Sequence, residues 1–136
     1  MPPATAELLL TVRTVMDLLA TQDRTDSLSG TGVGAQVARG RVRTARSPEE
    51  AISTLEPGEV LVVPFTTPAY NVVLPRGGGL VTTEGGPLSH AAVLARELGL
   101  AAVVGASGAL LELHDGMEVE VDPVAGKVRP LSVTTT

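Results

Sequence analysis

The stretch Leu80–Gly105, LVTTEGGPLSHAAVLARELGLAAVVG, contains the pattern that decides the fold. Hydrophobic spacing predicts a strand over residues 80–82, a glycine-rich loop, and a helix over residues 89–98. Gly99 is a typical residue for ending that helix. A small buried strand is predicted over residues 101–104. A strand, a helix and a second strand in this order are typical of an α/β domain.

The loop and the start of the helix have the properties of an anion-binding site. Gly85 and Gly86 let a ligand approach the main chain closely, and Ser89 as N-cap makes His90 the first helical residue. The first turn of a helix offers free N–H groups and a positive dipole end, which favour phosphate. Imidazole keeps a neutral, nucleophilic nitrogen near physiological pH. We therefore interpret His90 as a phosphoryl-carrying nucleophile, although these residues alone also fit a helix cap or a surface histidine.

The segments outside this stretch extend the same pattern. Alternation predicts a strand over residues 35–43, and Ser47, Pro48 and early carboxylates predict a short helix over residues 47–55. Residues 59–63 are a short apolar run typical of a buried strand, and a brief helical turn follows over residues 68–73. The C-terminus predicts a hairpin within residues 117–131. The fold class is therefore α/β, with a mixed sheet, short helices and a C-terminal hairpin.

The N-terminal region is interpreted as separate from this body. Residues 5–20 carry apolar side chains at helical spacing and predict an amphipathic helix. The polar, glycine-rich residues 21–34 are typical of a linker. We therefore divide the chain into an N-terminal helix and linker (1–29), an α/β domain (30–131) and a tail (132–136). The apolar face of the helix predicts docking or homodimerisation, with packing on its own domain as the alternative.

Composition and charge exclude several classes of function. The formal net charge of −5 argues against nucleic-acid binding, which needs a basic face. The chain has no cysteine, which removes disulfides, thiolate zinc sites and cysteine catalysis. No apolar stretch approaches the roughly 20 residues of a membrane span, and the N-terminus lacks a basic signal-peptide region. His114, the only other histidine, lies in a tight-turn context. We therefore expect a cytoplasmic protein without a metal site.

The run from Thr82 to Gly105 resembles the phosphohistidine, or swivelling, domain of phosphoenolpyruvate-utilising enzymes. That group includes pyruvate phosphate dikinase, phosphoenolpyruvate synthase and rifampicin phosphotransferase. The shared features are Gly85-Gly86, Ser89-His90, Ala95-Arg96-Glu97, Gly99-Leu100 and Ala102-Val103-Val104-Gly105. A weaker likeness extends over residues 30–131. Two positions depart from the pattern: Leu88 replaces a threonine that is a regulatory phosphorylation site in some members, and Ala101 replaces a usual proline.

The resemblance implies a swivelling β/β/α phosphohistidine fold and a division of labour between domains. In the family, the histidine accepts a phosphoryl group at one active site and delivers it at another. One site binds ATP on an ATP-grasp domain, and the other binds phosphoenolpyruvate (PEP) or another acceptor. Mg²⁺ and ATP are therefore expected on partner proteins or domains, with no cofactor on this one.

The resemblance also assigns roles to individual residues. His90 is implied to be the catalytic residue, and Gly85, Gly86, Ser89 and Arg96 are implied to position phosphate or to support the histidine. A surface ion pair is the alternative for Arg96. For the whole chain, the resemblance implies a phosphocarrier component of a phosphotransferase, which is not a complete enzyme by itself. An inactive binding or regulatory module with the same fold, and a scaffold with a structural histidine, are the alternatives.

Overall fold

The computed structural model describes residues 27–131, which form eight strands, three α-helices and two 3-10 turns. In chain order these are β1 (Leu28–Ser29), β2 (Thr31–Val33), β3 (Ala38–Thr44), α1 (Pro48–Thr54), β4 (Val60–Val63), the turns Pro68–Val72 and Leu74–Arg76, β5 (Gly79–Thr82), α2 (His90–Leu98), β6 (Ala102–Val104), α3 (Ala109–Glu112), β7 (Glu118–Asp122) and β8 (Lys127–Pro130). The helix predicted over residues 5–20 and the tail over 132–136 lie outside the described residues. None of the helices within the described range is long and apolar enough to span a bilayer.

The strands form one mixed sheet in the order β1-β8-β7-β3-β4-β5-β6-β2. Strands β3, β4, β5 and β6 are parallel to one another, whereas β7 and β8 form the predicted antiparallel hairpin. The two outermost strands, β1 and β2, are consecutive in the chain and only Gly30 separates them. The sheet is therefore nearly closed on itself, and the predicted mixed α/β architecture is confirmed.

The linker prediction for residues 28–34 was wrong. Strand β1 pairs with β8 and strand β2 pairs with β6, so this segment joins the two ends of the sheet. Gly30 donates its N–H to the carbonyl of Gly126 at 2.9 Å. A Cβ at Gly32 would overlap the carbonyl oxygen of Pro123. Glycine is needed here because two backbones pass close to each other, and the sequence pattern does not distinguish this need from flexibility.

Other predicted boundaries shift by a few residues. The strand predicted over 35–43 is β3, which begins at Ala38 and ends at Thr44. The predicted helix after Ser47 is confirmed as α1, and the Ser47 hydroxyl accepts a hydrogen bond from Glu50 N–H at 3.1 Å. The short helix α3 was not predicted. Its N-cap is Gly108, which has no side chain to cap the helix, so the N-cap position carries no polar start signal.

The central strands β4, β5 and β6 are buried on both faces by mainly aliphatic side chains. Along β4, Leu61 and Val63 belong to a cluster that includes buried alanines of α1 and α2, whereas Val60 and Val62 belong to a second cluster with residues of α3 and the hairpin. This alternation follows from the two-residue period of a strand. Burial on both faces is typical of parallel strands that helices cover.

The parallel strands bring three loops to one edge of the sheet. Strands β4, β5 and β6 run in the same direction, so the residues that follow Val63, Thr82 and Val104 leave from the same carboxyl edge. Functional sites of open α/β sheets form at this edge. The opposite edge contains the β7–β8 turn, because β7 is antiparallel to β3.

Ion pairs link β3 to its neighbours on the solvent-facing side. Arg39 pairs with Glu120 at 2.9 Å, and Arg43 pairs with Glu59 at 3.1 Å. Asp115 accepts hydrogen bonds from the Thr44 N–H at 2.7 Å and from the Thr44 hydroxyl at 2.9 Å. The N–H bond is the main cause that holds the pKa of Asp115 below its ordinary value of 3.8, although partial burial opposes it.

We predict that Gly32→Ala lowers the free energy of unfolding by about 1–3 kcal/mol, because the new methyl group overlaps the Pro123 carbonyl. Gly86→Ala is the matched control, since a Cβ there has no atom within 4 Å, and it should change stability by less than about 0.5 kcal/mol. Thermal unfolding followed by circular dichroism measures both. Equal stability of the two variants would contradict the docking of β2 into the sheet.

A second prediction concerns acid stability. Since the folded-state pKa of Asp115 is lowered, its carboxylate stabilises the fold above its unfolded pKa, and this contribution disappears as the pH falls through the folded value. Asp115→Asn should therefore have a lower Tm than the parent at about pH 7, and the difference should shrink at about pH 3. Glu112→Gln, an exposed carboxylate of α3, is the control and should follow the parent at both pH values. A difference for Asp115→Asn that does not change with pH would contradict the assignment.

Candidate functional site

His90 is the first residue of helix α2, as the sequence predicts. The Ser89 hydroxyl accepts a hydrogen bond from the Ala92 N–H at 3.2 Å, and the Ser89 carbonyl accepts one from the Val93 N–H at 3.0 Å. The N-cap prediction for Ser89 is therefore confirmed. This cap fixes where the helix begins and so places the imidazole at the positive end of the helix dipole.

The two glycines of the preceding loop have different roles. Gly85 has a φ of +105°, and a Cβ there would lie 3.0 Å from the Ser89 hydroxyl oxygen. A side chain at this position would strain the backbone and press on the N-cap. Gly86 has no atom within 4 Å of the position a Cβ would take, and its carbonyl accepts a hydrogen bond from the Ser89 N–H at 3.0 Å. Gly85 therefore shapes the loop, whereas Gly86 leaves open space beside it.

Thr66 is a site residue that the sequence analysis missed. Its hydroxyl oxygen lies 2.7 Å from Nδ1 of His90, and the residue as a whole is 7% exposed. It follows strand β4 and precedes the turn that begins at Pro68. The sequence signal that could have identified Thr66 is the Thr-x-Pro pattern after a buried strand. No pattern in the neighbouring residues indicates that this threonine contacts His90. Among the described residues, no hydrogen bond engages Nε2 of His90.

The loop before His90 is fastened to the neighbouring strand ends. The buried Thr82 hydroxyl donates to the Glu84 carbonyl at 2.7 Å, and the Glu84 N–H donates to the Pro64 carbonyl at 2.9 Å. The Ala106 N–H donates to the Thr82 carbonyl at 2.8 Å. The chain ends of β4, β5 and β6 are thus tied together, so Thr66 and His90 are held on one rigid support.

Helix α2 packs on the sheet through small side chains. Ala91, Ala92 and Ala95 are at most 2% exposed and belong to the cluster that includes Leu61 and Leu80. Alanine allows the helix axis to lie close to the strands. His90, the residue before these alanines, is half-buried.

Arg96 does not join this arrangement. It lies in the last turn of α2, about 9 Å further along the helix axis than His90 and about 120° around it. It lines a pocket with Gly34, Gln36 and Ala101 at the amino edge of the sheet. The structure therefore brings together His90, Ser89 and Gly85 of the predicted site, with Gly86 beside them, and leaves Arg96 apart.

Pockets of about 290 to 340 Å³ indent the described residues at three places, and His90 lines none of these three. His114 lines one of these pockets and begins the turn in which the Met117 N–H donates to its carbonyl at 3.0 Å. Within residues 27–131, no group of three or more histidine, aspartate or glutamate side chains is arranged to hold a metal ion.

Comparison with known proteins identifies relatives over this same region. The family model described as "PEP-utilising enzyme, mobile domain" matches residues 55–126. An uncharacterised protein of Mycobacterium tuberculosis is 43% identical over 110 residues, which cover 81% of this chain and 13% of that protein. The phosphoenolpyruvate synthase of Aeropyrum pernix is 46% identical over 99 residues, covering 73% of this chain and 12% of the synthase. The chain thus spans about an eighth of the length of these relatives.

A solved structure agrees with the sequence matches. The solution structure of an Enzyme I protein superimposes with a TM-score of 0.51 and 32% identity, over 58% of this chain and 33% of that one. The fold that the resemblance implies is therefore confirmed. The matched residues 55–126 include strand β4, the glycine loop and helix α2, which together position Thr66 and His90. The chain belongs to the family of PEP-utilising enzyme mobile domains.

Proposed function

We propose that this domain is a mobile phosphocarrier, in which His90 accepts a phosphoryl group at one partner site and delivers it at another. The observation that carries the proposal is the contact of 2.7 Å between the Thr66 hydroxyl and Nδ1 of His90. This contact orients the ring and occupies one nitrogen, and it leaves Nε2 for chemistry. Family membership supports the same role.

The proposed step is an in-line displacement at phosphorus. In the tautomer that we propose, Nδ1–H of His90 donates to the Thr66 hydroxyl oxygen 2.7 Å away, so the lone pair on Nε2 is available. This lone pair forms the N–P bond while the bond from phosphorus to the leaving-group oxygen breaks, and the leaving group keeps that electron pair. Transfer to the acceptor reverses the roles: an acceptor oxygen attacks phosphorus and Nε2 recovers its lone pair. Thr66 is a positioning residue in both steps.

The negative charge of the phosphoryl group has to be neutralised by positively charged groups. The helix α2 N-terminus supplies a partial positive charge beside His90, but no lysine or arginine occurs in the sequence between Arg76 and Arg96. Phosphoryl transfer depends mainly on positioning and on neutralising charge. We therefore assign Mg²⁺, ATP and the cationic side chains to an ATP-grasp partner, and PEP or another acceptor to a second partner site. Because ATP and PEP are cytoplasmic metabolites, we propose that the domain works in the cytoplasm.

We predict that His90→Ala abolishes phosphorylation of the domain. The domain is incubated with phosphoramidate, a small phosphoryl donor that needs no partner, and separately with labelled ATP and the ATP-grasp proteins of the source organism. A phosphohistidine label is expected to be acid-labile and base-stable. His114→Ala is the matched control and should keep the label, since His114 is the only other histidine. Label that survives in His90→Ala would overturn the proposal. If phosphoramidate labels the domain but none of the ATP-grasp proteins does, the assignment of an ATP-grasp protein as the phosphoryl donor is contradicted.

We also predict that Thr66→Val lowers the rate of phosphorylation by about fivefold to thirtyfold, because the lost hydrogen bond is equivalent to about 1–2 kcal/mol. Thr66→Ser keeps the hydroxyl and should recover most of the rate. Thr67→Val is a neighbouring control whose hydroxyl makes no cap hydrogen bond. Nitrogen-15 chemical shifts of the ring report the tautomer, and they should change in Thr66→Val only. An unchanged rate and tautomer in Thr66→Val would contradict the positioning role.

A further inference from the structure

The connection between β6 and α3, residues 105–108, lies against the glycine loop, residues 83–89. Gly105 begins this connection and has a φ of +74°. A Cβ at Gly105 would lie 2.7 Å from the carbonyl oxygen of Gly85. Because the atom that it would meet belongs to the backbone, a side chain at Gly105 would displace either the connection or the glycine loop.

Thr82, the last residue of β5, bonds to both of these segments. It is fully buried, and its hydroxyl donates a hydrogen bond to the Glu84 carbonyl at 2.7 Å. The same hydroxyl accepts a hydrogen bond from the Gly105 N–H at 3.4 Å. The Thr82 carbonyl accepts a further one from the Ala106 N–H at 2.8 Å. One buried side chain therefore links the glycine loop to the β6–α3 connection.

The β6–α3 connection has an anchor of its own. Ala106 is fully buried and belongs to the second apolar cluster, whereas the alanines of helix α2 belong to the first. The Ala106 carbonyl also accepts a hydrogen bond from the Ala109 N–H at 2.9 Å, at the start of α3. The position of the connection is therefore fixed by packing that does not involve helix α2.

The contacts continue from Gly85 to the start of helix α2. A Cβ at Gly85 would lie 3.0 Å from both the Cβ and the Oγ of Ser89. This Oγ is the cap that accepts the hydrogen bond from the Ala92 N–H, and His90 follows directly after it. Gly105, Gly85 and Ser89 thus form a series of close contacts that ends at the residue before His90.

We propose that Thr82 and Gly105 are positioning residues for His90. They hold the glycine loop where the Ser89 cap places Nδ1 of the ring against the Thr66 hydroxyl, 2.7 Å away. The inference rests on the proposed function of His90 and assigns a role in it to the β6–α3 connection. Since misplacing a reacting group by about 1 Å can lower a rate by up to about a hundredfold, loss of this support should slow phosphorylation.

The first experiment compares Gly105→Ala with Gly99→Ala. Gly99 also has a positive φ, +67°, but a Cβ there would have no atom within 4 Å, so this control has similar backbone strain without the overlap. Phosphoramidate should label His90 about tenfold more slowly in Gly105→Ala and within about twofold of the parent rate in Gly99→Ala. The nitrogen-15 shifts of the His90 ring should change in Gly105→Ala only.

The second experiment removes the hydroxyl of Thr82. Thr82→Val keeps the shape of the side chain and should lower the labelling rate by about threefold to tenfold, because the bond to the Glu84 carbonyl is lost. Thr82→Ser keeps the hydroxyl and should recover most of the rate. Val121→Ala is the control for lost stability, since Val121 is fully buried in β7 and belongs to the second cluster. Rates are compared at a temperature where circular dichroism shows every variant folded.

A double variant tests whether the two supports act on the same contact. Thr66→Val combined with Gly105→Ala should slow labelling by less than the product of the two single effects, because each change disturbs the placement of the same ring. Thr66→Val combined with Gly99→Ala should give the simple product. A full product in the first pair would contradict the route through the Thr66 contact.

The failures of the two proposals differ. If phosphoramidate does not label His90 of the parent, the proposed function fails and the positioning role fails with it. If the parent is labelled and both Gly105→Ala and Thr82→Val keep its rate, the positioning role is overturned while the nucleophile stands. A loss in Val121→Ala as large as that in Thr82→Val would attribute the effect to stability and would also overturn it. If Gly105→Ala does not fold, the Thr82 variants decide.

Discussion

The contact between the Thr66 hydroxyl and Nδ1 of His90 joins two positions that are 24 residues apart in the chain. Each position is fixed by a different part of the structure. Thr66 follows strand β4, whose four residues are all fully buried, so the exit of that strand has little freedom. His90 is fixed by the Ser89 cap and by the alanines that hold helix α2 on the sheet. The short distance between the Thr66 hydroxyl and Nδ1 of His90 therefore depends on where strand β4 ends and on where helix α2 begins.

Local signals in the sequence were sufficient to predict the position of His90, but not the position of Thr66. The N-cap at Ser89, the helix start at His90 and the turn at Gly85 depend on residues within a few positions of one another, so their pattern is visible in one stretch. The position of Thr66 beside His90 depends on β4 and β5 lying side by side. This pairing of strands cannot be predicted from one sequence by local pattern alone. The candidate site was therefore predicted around His90 but not around Thr66, the residue that contacts its ring.

The error at Gly30–Gly34 has a physical cause of the same kind. Glycine occurs where a chain is flexible and also where two backbones touch, and composition alone does not separate the two. The pairing partners of this segment, β6 and β8, lie about 70 and 100 residues further along the chain. Aliphatic strands such as β4 were predictable, because a short apolar run in a small α/β domain indicates a buried strand. The N-terminal residues of the sheet carry no comparable run.

The pairing of β1 with β8 determines where the chain enters and leaves the described body. The two strands are antiparallel neighbours, with Leu28 opposite Val128, so the chain enters and leaves the described body at one place. Any polypeptide joined before Ser27 and after Leu131 is attached through this pair of adjacent strands. Leu28 and Val128 both belong to the second apolar cluster, so both points of attachment are anchored in the packed core. In the sheet order, β7 and β3 separate this strand pair from β4, the strand that precedes Thr66.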